Sequence, residues 1–262
     1  MESHEYARMH ALETEYWWFA GRRAIVAGLL RAVPFPRDQT TLQLLDIGCG
    51  TGANLPMLKK AIGPNGRLTA MDFSPLALEF ARTHPESNGV HLLQGDALHL
   101  PFRDQSFHLL TMLDVLEHLR DDQRALSEVH RVLQPKGALV FSVPAYQHLW
   151  SAHDEALHHF RRYEYRSLHK LLRQSGFQVY RLSFAMSLMP PIAWLWRKVI
   201  LPFQPKRPKH AHRHSEGAHL PQLPRPANQL LIEYLKLEGR LIRHRRINFG
   251  TSLVGIAVKR EK

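Results

Sequence analysis

Three glycines at alternate positions, Gly48, Gly50 and Gly52, follow a short apolar run over Leu42–Ile47. The apolar run predicts a buried strand, and the sequence after the glycines predicts a helix over Asn54–Ile62. Glycine lets the backbone approach a bound molecule closely, and the first turn of a helix offers free N–H groups to anions. The order of strand, glycine turn and helix therefore predicts a nucleotide-binding site.

Aspartates stand at or near the ends of three predicted strands, as Asp46, Asp72 and Asp96. Asp72 lies about twenty residues past the glycines, where a nucleotide-binding fold places the carboxylate that accepts hydrogen bonds from ribose hydroxyls. The glycine spacing differs from the dinucleotide fingerprint, in which the third glycine follows the second by three residues. A dinucleotide-dependent oxidoreductase and a non-catalytic binding or scaffold protein are therefore the alternatives to the interpretation that follows.

The pattern D-x-G-x-G-x-G around Gly48, together with the two later aspartates, resembles motif I and the following strand ends of the class I S-adenosylmethionine-dependent methyltransferases. The resemblance covers roughly residues 40–180 and the last strand. It implies S-adenosylmethionine as cofactor, with Asp72 on the ribose hydroxyls and Asp96 on the adenine amino group. The cofactor-binding residues it implies are Asp46, Gly48, Cys49, Gly50, Gly52, Asp72, Phe73, Asp96, Ala97 and Leu113.

Further stretches resemble an uncharacterised bacterial subgroup of this family, similar to methyltransferases of the ubiquinone and menaquinone pathways. They are the W-W-F-x-x-R-R run over 17–23 and the L-W-S-x-H-D run over 149–154. The link over 98–107 resembles the family's L-P-F-x-D-x-S-F-D segment, with His108 in place of its final aspartate. The subgroup implies no particular substrate, so the acceptor stays open.

His118 is the residue best suited to acid–base chemistry, because it follows the fourth predicted strand beside the expected methyl position. Methyl transfer from a sulfonium requires positioning and exclusion of water. An oxygen, nitrogen or carbon acceptor that carries a proton also needs a base, and imidazole titrates near neutrality. We predict that His118 is the catalytic base; a packed or helix-capping histidine is the alternative.

A metal-assisted version of this chemistry is the second alternative. The run Asp114-x-x-Glu117-His118 resembles the E-x-x-E-H element of ubiquinone-pathway and small-RNA methyltransferases, in which a later histidine completes a divalent-metal site. His158 matches that later histidine, and a metal could lower the pKa of an acceptor oxygen. Asp114 replaces a glutamate of the element, however, and we do not expect a metal.

Strands that alternate with helices predict a doubly wound, seven-stranded, mostly parallel α/β sheet. The expected organisation is an N-terminal helical cap (1–36), a methyltransferase core (37–183 and 247–262) and an excursion (184–246) that ends in an amphipathic helix. We expect two helices in the cap, separated at Gly21. The resemblance implies that the last strand, Thr251–Lys259, enters the sheet antiparallel to its neighbours.

The connection after the fifth strand, residues 144–163, is too polar for a core segment and too long for a turn. Loops at the carboxyl ends of parallel strands bind substrates, so we assign this connection to the methyl acceptor.

The composition limits the compartment and the partners. The 262 residues carry a formal net charge of +12 and one cysteine, which fits a reducing compartment and an anionic partner.

The apolar segment Met186–Phe203 holds Trp194 and Trp196 beside basic residues, which suits either an anionic membrane surface or a pocket wall. We expect a cytoplasmic enzyme, with peripheral binding to the inner membrane face as an option, and a small-molecule or lipid-linked acceptor rather than nucleic acid. The oligomeric state stays open.

Overall fold

The computed structural model describes residues 12–13, 15–34, 41–188 and 223–260. Seven strands form one sheet: β1 (Gln43–Ile47), β2 (Arg67–Asp72), β3 (Val90–Gln94), β4 (Phe107–Leu113), β5 (Leu133–Pro144), β6 (Phe177–Ala185) and β7 (Ser252–Lys259). Their order is β3-β2-β1-β4-β5-β7-β6. All pairs are parallel except that β7 runs antiparallel to both of its neighbours. The predicted fold class and the antiparallel last strand are therefore confirmed.

Helices cover both faces of this sheet, because successive residues of a buried strand point to opposite sides. The helices are α1 (Trp17–Leu30), α2 (Leu55–Ile62), α3 (Pro75–Thr83), α4 (Asp122–Val132), α5 (Ala152–Ala156), α6 (Tyr165–Gln174) and α7 (Arg225–Ile242). Leu44 of β1 lies in the core layer that α1, α2 and α7 share. Its neighbour Leu45 lies in the opposite layer with α4 and α6. The carboxyl ends of the parallel strands are thus held rigidly from both sides.

The predicted helix break at Gly21 is wrong, since α1 runs through this residue without interruption. A Cβ atom at Gly21 would lie 2.1 Å from the side chain of Leu235, and one at Gly28 would lie 2.2 Å from the carbonyl oxygen of Gly239. Both glycines face α7. They allow two helices to pack closely, and neither ends a helix.

This contact predicts a destabilising effect of Gly28→Ala. A glycine-to-alanine change in a helix normally stabilises by up to about 1 kcal/mol. Here the new methyl group meets the Gly239 carbonyl, which is backbone and cannot turn aside. We expect a loss of about 1–3 kcal/mol of unfolding free energy, measured by urea denaturation. A variant as stable as the wild type would contradict the close α1–α7 contact.

The residues 134–137 predict a turn, with the fifth strand beginning at Ala138, and the structure corrects both expectations. β5 begins at Leu133, which pairs with Phe107, and the regular ladder resumes at Ala138 after a register shift. The intervening residues bulge, with Lys136 at φ 62°. The turn residues were recognised correctly, but they interrupt a longer strand.

His108 connects two central strands. Its Nδ1 accepts a hydrogen bond from the N–H of Gln43 at 3.1 Å. Burial lowers the pKa of His108, which keeps the ring neutral and able to accept. Histidine, which replaces the family's aspartate at this position, therefore joins the first residue of β1 to β4 through a hydrogen bond.

The apolar segment Met186–Phe203 lies outside the described residues from position 189 onwards, so its predicted role is not tested. In the part of the chain that the structure describes, no helix is both long enough and apolar enough to cross a bilayer.

Candidate functional site

The glycine turn connects β1 to α2. Gly48, Gly50 and Gly52 have φ angles of 74°, 57° and 89°, which residues with a side chain rarely adopt. The N–H groups of Gly48 and Cys49 both donate to the carbonyl oxygen of Met71, at 2.7 and 3.0 Å, and so tie the turn to β2. A Cβ atom at Gly50 would meet no atom of the described residues within 4 Å. The turn is therefore open to a ligand at Gly50.

Asp72 ends β2 directly beside this turn. Its Oδ2 accepts from the N–H of Gly50 at 2.8 Å, and its Oδ1 accepts from the N–H of Ser74 at 2.9 Å. Ser74 in turn caps α3 by accepting from the N–H of Ala77. Burial raises the pKa of Asp72, while the backbone hydrogen bonds oppose this effect. The carboxylate is thus held in one orientation and keeps lone pairs for a further partner.

Beyond Asp72, two exposed groups face the same space. Phe73 is 75% exposed, which is unusual for a phenylalanine in a folded domain. The side chain of Asp96 is 41% exposed; its Oδ1 accepts from the N–H of Leu98 at 2.9 Å. Both residues line the cavity described next, and Oδ2 of Asp96 lies 3.3 Å from Nδ1 of His99.

A cavity of about 1160 Å³ covers the carboxyl ends of the central strands. The predicted cofactor-binding residues that line it are Gly48, Cys49, Gly50, Asp72, Phe73, Asp96, Ala97 and Leu113. From there the cavity continues to Asp114, Glu117 and His118, and on to His158 and His159. One continuous space thus joins the glycine turn to the predicted base.

Two predicted residues lie behind the cavity wall. Asp46 accepts a hydrogen bond from the hydroxyl of Thr111 at 2.5 Å, and burial raises its pKa to about 7. Gly52 packs against α3, where a Cβ atom would lie 3.3 Å from the Cα atom of Ala81. Burial also raises the pKa of the Cys49 thiol, so this residue fills space and is not a nucleophile.

The N-terminal helix forms one wall of the cavity through Trp18 and Arg22. The guanidinium of Arg22 lies 4.7 Å from the centre of the Trp18 ring, and it donates to a carboxylate oxygen of Asp114 at the end of β4. Nearby, the hydroxyl of Thr51 donates to Glu13. The W-W-F-x-x-R-R run is a feature of the sequence, but no sequence pattern indicates a role for Arg22. Its ion pair with Asp114 depends on the position of α1 over the end of β4.

At the far end of the cavity, Glu117, His118 and His159 form a cluster. One carboxylate oxygen and one ring nitrogen from each histidine all lie within 4.8 Å of one another. The two imidazole rings are 4.6 Å apart, edge to face. Glu117 is 1% exposed, and neither of its oxygens hydrogen-bonds to another described residue. Burial raises the pKa of Glu117 to about 8 and lowers that of His118 to about 4.

The predicted four-residue metal set is not brought together among the described residues. Asp114 is occupied by Arg22 and by the hydroxyl of Ser142, at 2.7 Å from the latter. His158 lines the cavity but does not belong to the cluster; its neighbour His159 does. Of these two neighbouring histidines, only His159 clusters with Glu117 and His118.

The connection over 144–163 is more buried than its polarity suggested. Asp154 is fully buried and Tyr163 is 5% exposed. Tyr163 donates from its hydroxyl to Asp122 at 2.9 Å, and Arg162 forms an ion pair with Asp154. Polar groups are buried here because each one has a partner. The segment also contributes His153, Leu157 and Phe160 to the cavity wall.

Comparison with known proteins gives the family of this site. Residues 45–141 match a methyltransferase domain family. Demethylmenaquinone methyltransferase of Staphylococcus haemolyticus is 41% identical over 97 residues, which are 37% of this chain and 41% of the relative. The corresponding Staphylococcus aureus protein is 43% identical over the same length. The chain thus spans about two fifths of the length of the curated relatives it matches.

Solved structures support the fold over nearly the whole chain. A Haloferax volcanii protein, solved in complex with a methyltransferase activator, superposes with a TM-score of 0.62 at 19% identity, covering 98% of this chain and 95% of its own. The [4+2]-cyclase SpnF superposes with a TM-score of 0.56 at 18% identity, covering 91% of this chain and 81% of its own. Because one of these proteins is a cyclase, this likeness shows the fold and leaves the reaction to be argued from the site.

Proposed function

We propose that this chain, a member of the class I S-adenosylmethionine-dependent methyltransferases, transfers a methyl group to a small-molecule or lipid-linked acceptor. The observation that carries the proposal is the continuous cavity from the Gly48–Gly52 turn to His118. A cofactor held at one end and an acceptor held at the other would meet beside Leu113. The bound cofactor supplies an electrophilic methyl group on a sulfonium.

The residues around the glycine turn fit this cofactor. Gly50 leaves open space where a side chain would block a ligand, and Asp72 is oriented to accept from ribose hydroxyls. The exposed ring of Phe73 offers a flat apolar face to an adenine base. Asp96 supplies an acceptor at the edge of that face. Asp46 and Gly52 would act indirectly, by supporting the turn from behind.

At the acceptor end, the chain's own groups supply positioning and proton handling. Trp18 and Arg22 close one side, and the connection over 144–163 closes the other. Burial lowers the pKa of His118 to about 4, so its ring is neutral at physiological pH and has a lone pair for a proton, although burial makes it a weak base on its own. We assign it the role of general base. The excursion and the N-terminal cap belong to one functional unit in this proposal, since α7 packs against α1, which walls the cavity.

We propose that the reaction does not use a metal. Burial raises the pKa of Glu117 to about 8, so this carboxyl group is mostly protonated at neutral pH, and the positive charges of Arg22 and Arg162 nearby also oppose a cation. We expect purified protein to hold well below one equivalent of Zn²⁺ or Mg²⁺, measured by mass spectrometry of metals. Calorimetric titration with either ion should give no saturable heat. Stoichiometric binding that is lost in Glu117→Gln would contradict this expectation.

The methyl acceptor can be identified by comparing the metabolites of a deletion strain with those of its parent strain. An untargeted search for metabolites that differ by 14 Da should find a methylated product in the parent and its unmethylated precursor in the deletion strain. Demethylmenaquinone, for which the staphylococcal relatives are named, belongs in the same comparison as a reference compound. If no pair of metabolites changes, the proposal of a methyl acceptor in the cell is wrong.

We further propose that the enzyme docks on an anionic membrane surface. On α7, the side chains of Leu230, Leu237 and Leu241 are 71%, 51% and 47% exposed. Their spacing of seven and four residues puts them on one stripe of the helix. The exposed basic residues at the end of this helix are Arg240, Arg243, Arg245 and Arg246. An apolar stripe beside basic groups suits the boundary of an anionic bilayer.

Docking predicts co-sedimentation of the protein with anionic liposomes but not with neutral ones. Binding should weaken at high salt, since each basic residue near the surface contributes about 1 kcal/mol through screened attraction. The double change Leu237→Ser/Leu241→Ser should abolish binding. Tyr180→Ser is the matched control, because this exposed residue lies on the edge strand β6, away from the stripe. A protein that stays in the supernatant with all vesicles would contradict docking.

A further inference from the structure

Asp154 organises the wall of the cavity beside His118. It is fully buried, and it accepts hydrogen bonds from the N–H of Ser151 at 2.9 Å and from two nitrogens of Arg162 at 2.7 and 2.9 Å. Its Oδ1 also lies 2.9 Å from Nδ1 of His159. Burial opposes the charge of Asp154, but the hydrogen bonds of Arg162 and His159 outweigh it, so its pKa lies below the usual value.

These contacts determine which nitrogen of His159 carries a hydrogen. An ionised carboxylate can only accept, so the hydrogen between the two residues must belong to Nδ1 of His159. In a neutral imidazole the other nitrogen, Nε2, is then bare. Burial lowers the pKa of His159 even though Asp154 opposes this, which keeps the ring neutral. The ring lies edge to face with His118, 4.6 Å between ring centres.

His118 alone is a weak base for this site, because its burial makes the imidazolium form costly. A second imidazole that presents a bare nitrogen can stabilise the imidazolium by accepting a hydrogen bond from it. Of the charged groups around the pair, Arg162 is held by Asp154 and Arg22 by Asp114. Glu117 completes the cluster with two oxygens that lack another partner among the described residues.

We propose that His159 is a second catalytic residue, which shares the proton of the methyl acceptor with His118, and that Asp154 and Arg162 are its positioning residues. The inference rests on the proposed methyl transfer. As the lone pair of the acceptor atom bonds to the methyl carbon, the carbon–sulfur bond breaks and its electron pair stays on sulfur. The hydrogen of the acceptor atom leaves as a proton to the histidine pair, which later returns it to water.

The cluster also defines the class of acceptor. A hydrogen-poor carbon centre would leave the bare Nε2 of His159 without a hydrogen-bond donor. A hydroxyl or an amine satisfies it, because it donates a hydrogen bond to the nitrogen that then takes its proton. The acceptor class that the site selects is therefore an alcohol, a phenol or an amine.

The first test is NMR spectroscopy of the full chain labelled with ¹⁵N-histidine, at pH 7.5. His159 should show the tautomer with hydrogen on Nδ1, and His148→Gln, which removes an exposed histidine of the same connection, should leave its signals unchanged. In Asp154→Asn the amide can donate to Nδ1, and the hydrogen should move to Nε2. The wild-type spectrum decides the matter even if that variant does not fold. A wild-type His159 with its hydrogen on Nε2, or with a charged ring, would overturn the proposal. A shift of the signals of both His118 and His159 on adding Zn²⁺ would also overturn it.

The second test returns variants to the deletion strain. His159→Gln should restore less than about 1% of the methylated product, in the range expected for a lost proton-transfer group. The double variant His118→Ala/His159→Gln should be no worse than either single variant, since residues that act as a unit are not additive. Full product from His159→Gln would overturn the proposal. If the wild type yields no methylated product while the Nδ1–H tautomer is present, the proposed function fails and the arrangement of His159 stands.

Discussion

Replacing His118 by alanine is expected to slow methyl transfer by about 10²–10⁴-fold, the usual effect of losing a general base. The residue lies in the 3-10 turn that follows β4, where it lines the cavity beside Glu117. Its ring is neutral at physiological pH, so no titration of His118 itself should limit the rate above about pH 5, given a pKa of about 4. The rate should be measured with the acceptor found in the metabolite comparison.

The control for this variant is His148→Ala, which changes an exposed histidine outside the cavity wall. Cofactor affinity, measured by calorimetry, should be the same for both variants and the wild type, because His118 lies at the acceptor end. A turnover number within twofold of the wild type would show that positioning alone carries the chemistry. A loss of cofactor affinity in His118→Ala would show that His118 lies at the cofactor end of the cavity and that its assignment to the acceptor end is wrong.

Asp72→Ala is expected to weaken the binding of S-adenosylmethionine by about 1.5–3 kcal/mol, the value of hydrogen bonds to a charged group. This corresponds to about 10–150-fold in the dissociation constant. The structure adds a second reason, because Asp72 also holds the N–H of Gly50 and thereby shapes the glycine turn. Calorimetry gives the affinity, and thermal unfolding without ligand shows whether the fold persists.

A matched control is Asp104→Ala, which removes an exposed carboxylate that pairs with Arg131 far from the cavity. Its dissociation constant for S-adenosylmethionine should equal that of the wild type. If Asp72→Ala binds as tightly as Asp104→Ala, the assignment of Asp72 to the ribose is wrong. A fold lost in Asp72→Ala would instead show that the residue is mainly structural.

Local sequence pattern was sufficient for the order of strands along the chain, because apolar runs mark buried strands and glycine or proline marks most turns. It did not give the start of β5. The apolar and β-branched run over Arg67–Asp72 predicts the second strand, and β2 has these bounds. Asp72 ends β2 and Asp96 follows β3 two residues after Gln94, and both line one cavity because parallel strands share their carboxyl edge. The predicted helix break at Gly21 is wrong because local sequence cannot distinguish two kinds of glycine. A glycine required by close contact with another helix looks the same in sequence as a glycine that ends a helix.

The acceptor end depended on contacts that no local pattern encodes. Arg22 and Asp114 are far apart in sequence, and their ion pair exists only because α1 crosses the end of β4. Asp154 and His159 looked like parts of a polar loop, yet they are buried together through Arg162. The resemblance to the E-x-x-E-H element implies His158 as the later ligand of a metal site, whereas the histidine that clusters with Glu117 and His118 is His159.

Calorimetric titration of the purified chain with S-adenosylmethionine, and separately with NAD, distinguishes a methyltransferase from a dinucleotide-dependent oxidoreductase. We expect saturable binding of S-adenosylmethionine at one molecule per chain, weakened in Asp72→Ala, and no saturable heat with NAD. The glycine turn and Asp72 would then hold a sulfonium nucleoside, as proposed. Saturable binding of NAD together with no binding of S-adenosylmethionine would show that the cofactor assignment is wrong and favour the oxidoreductase.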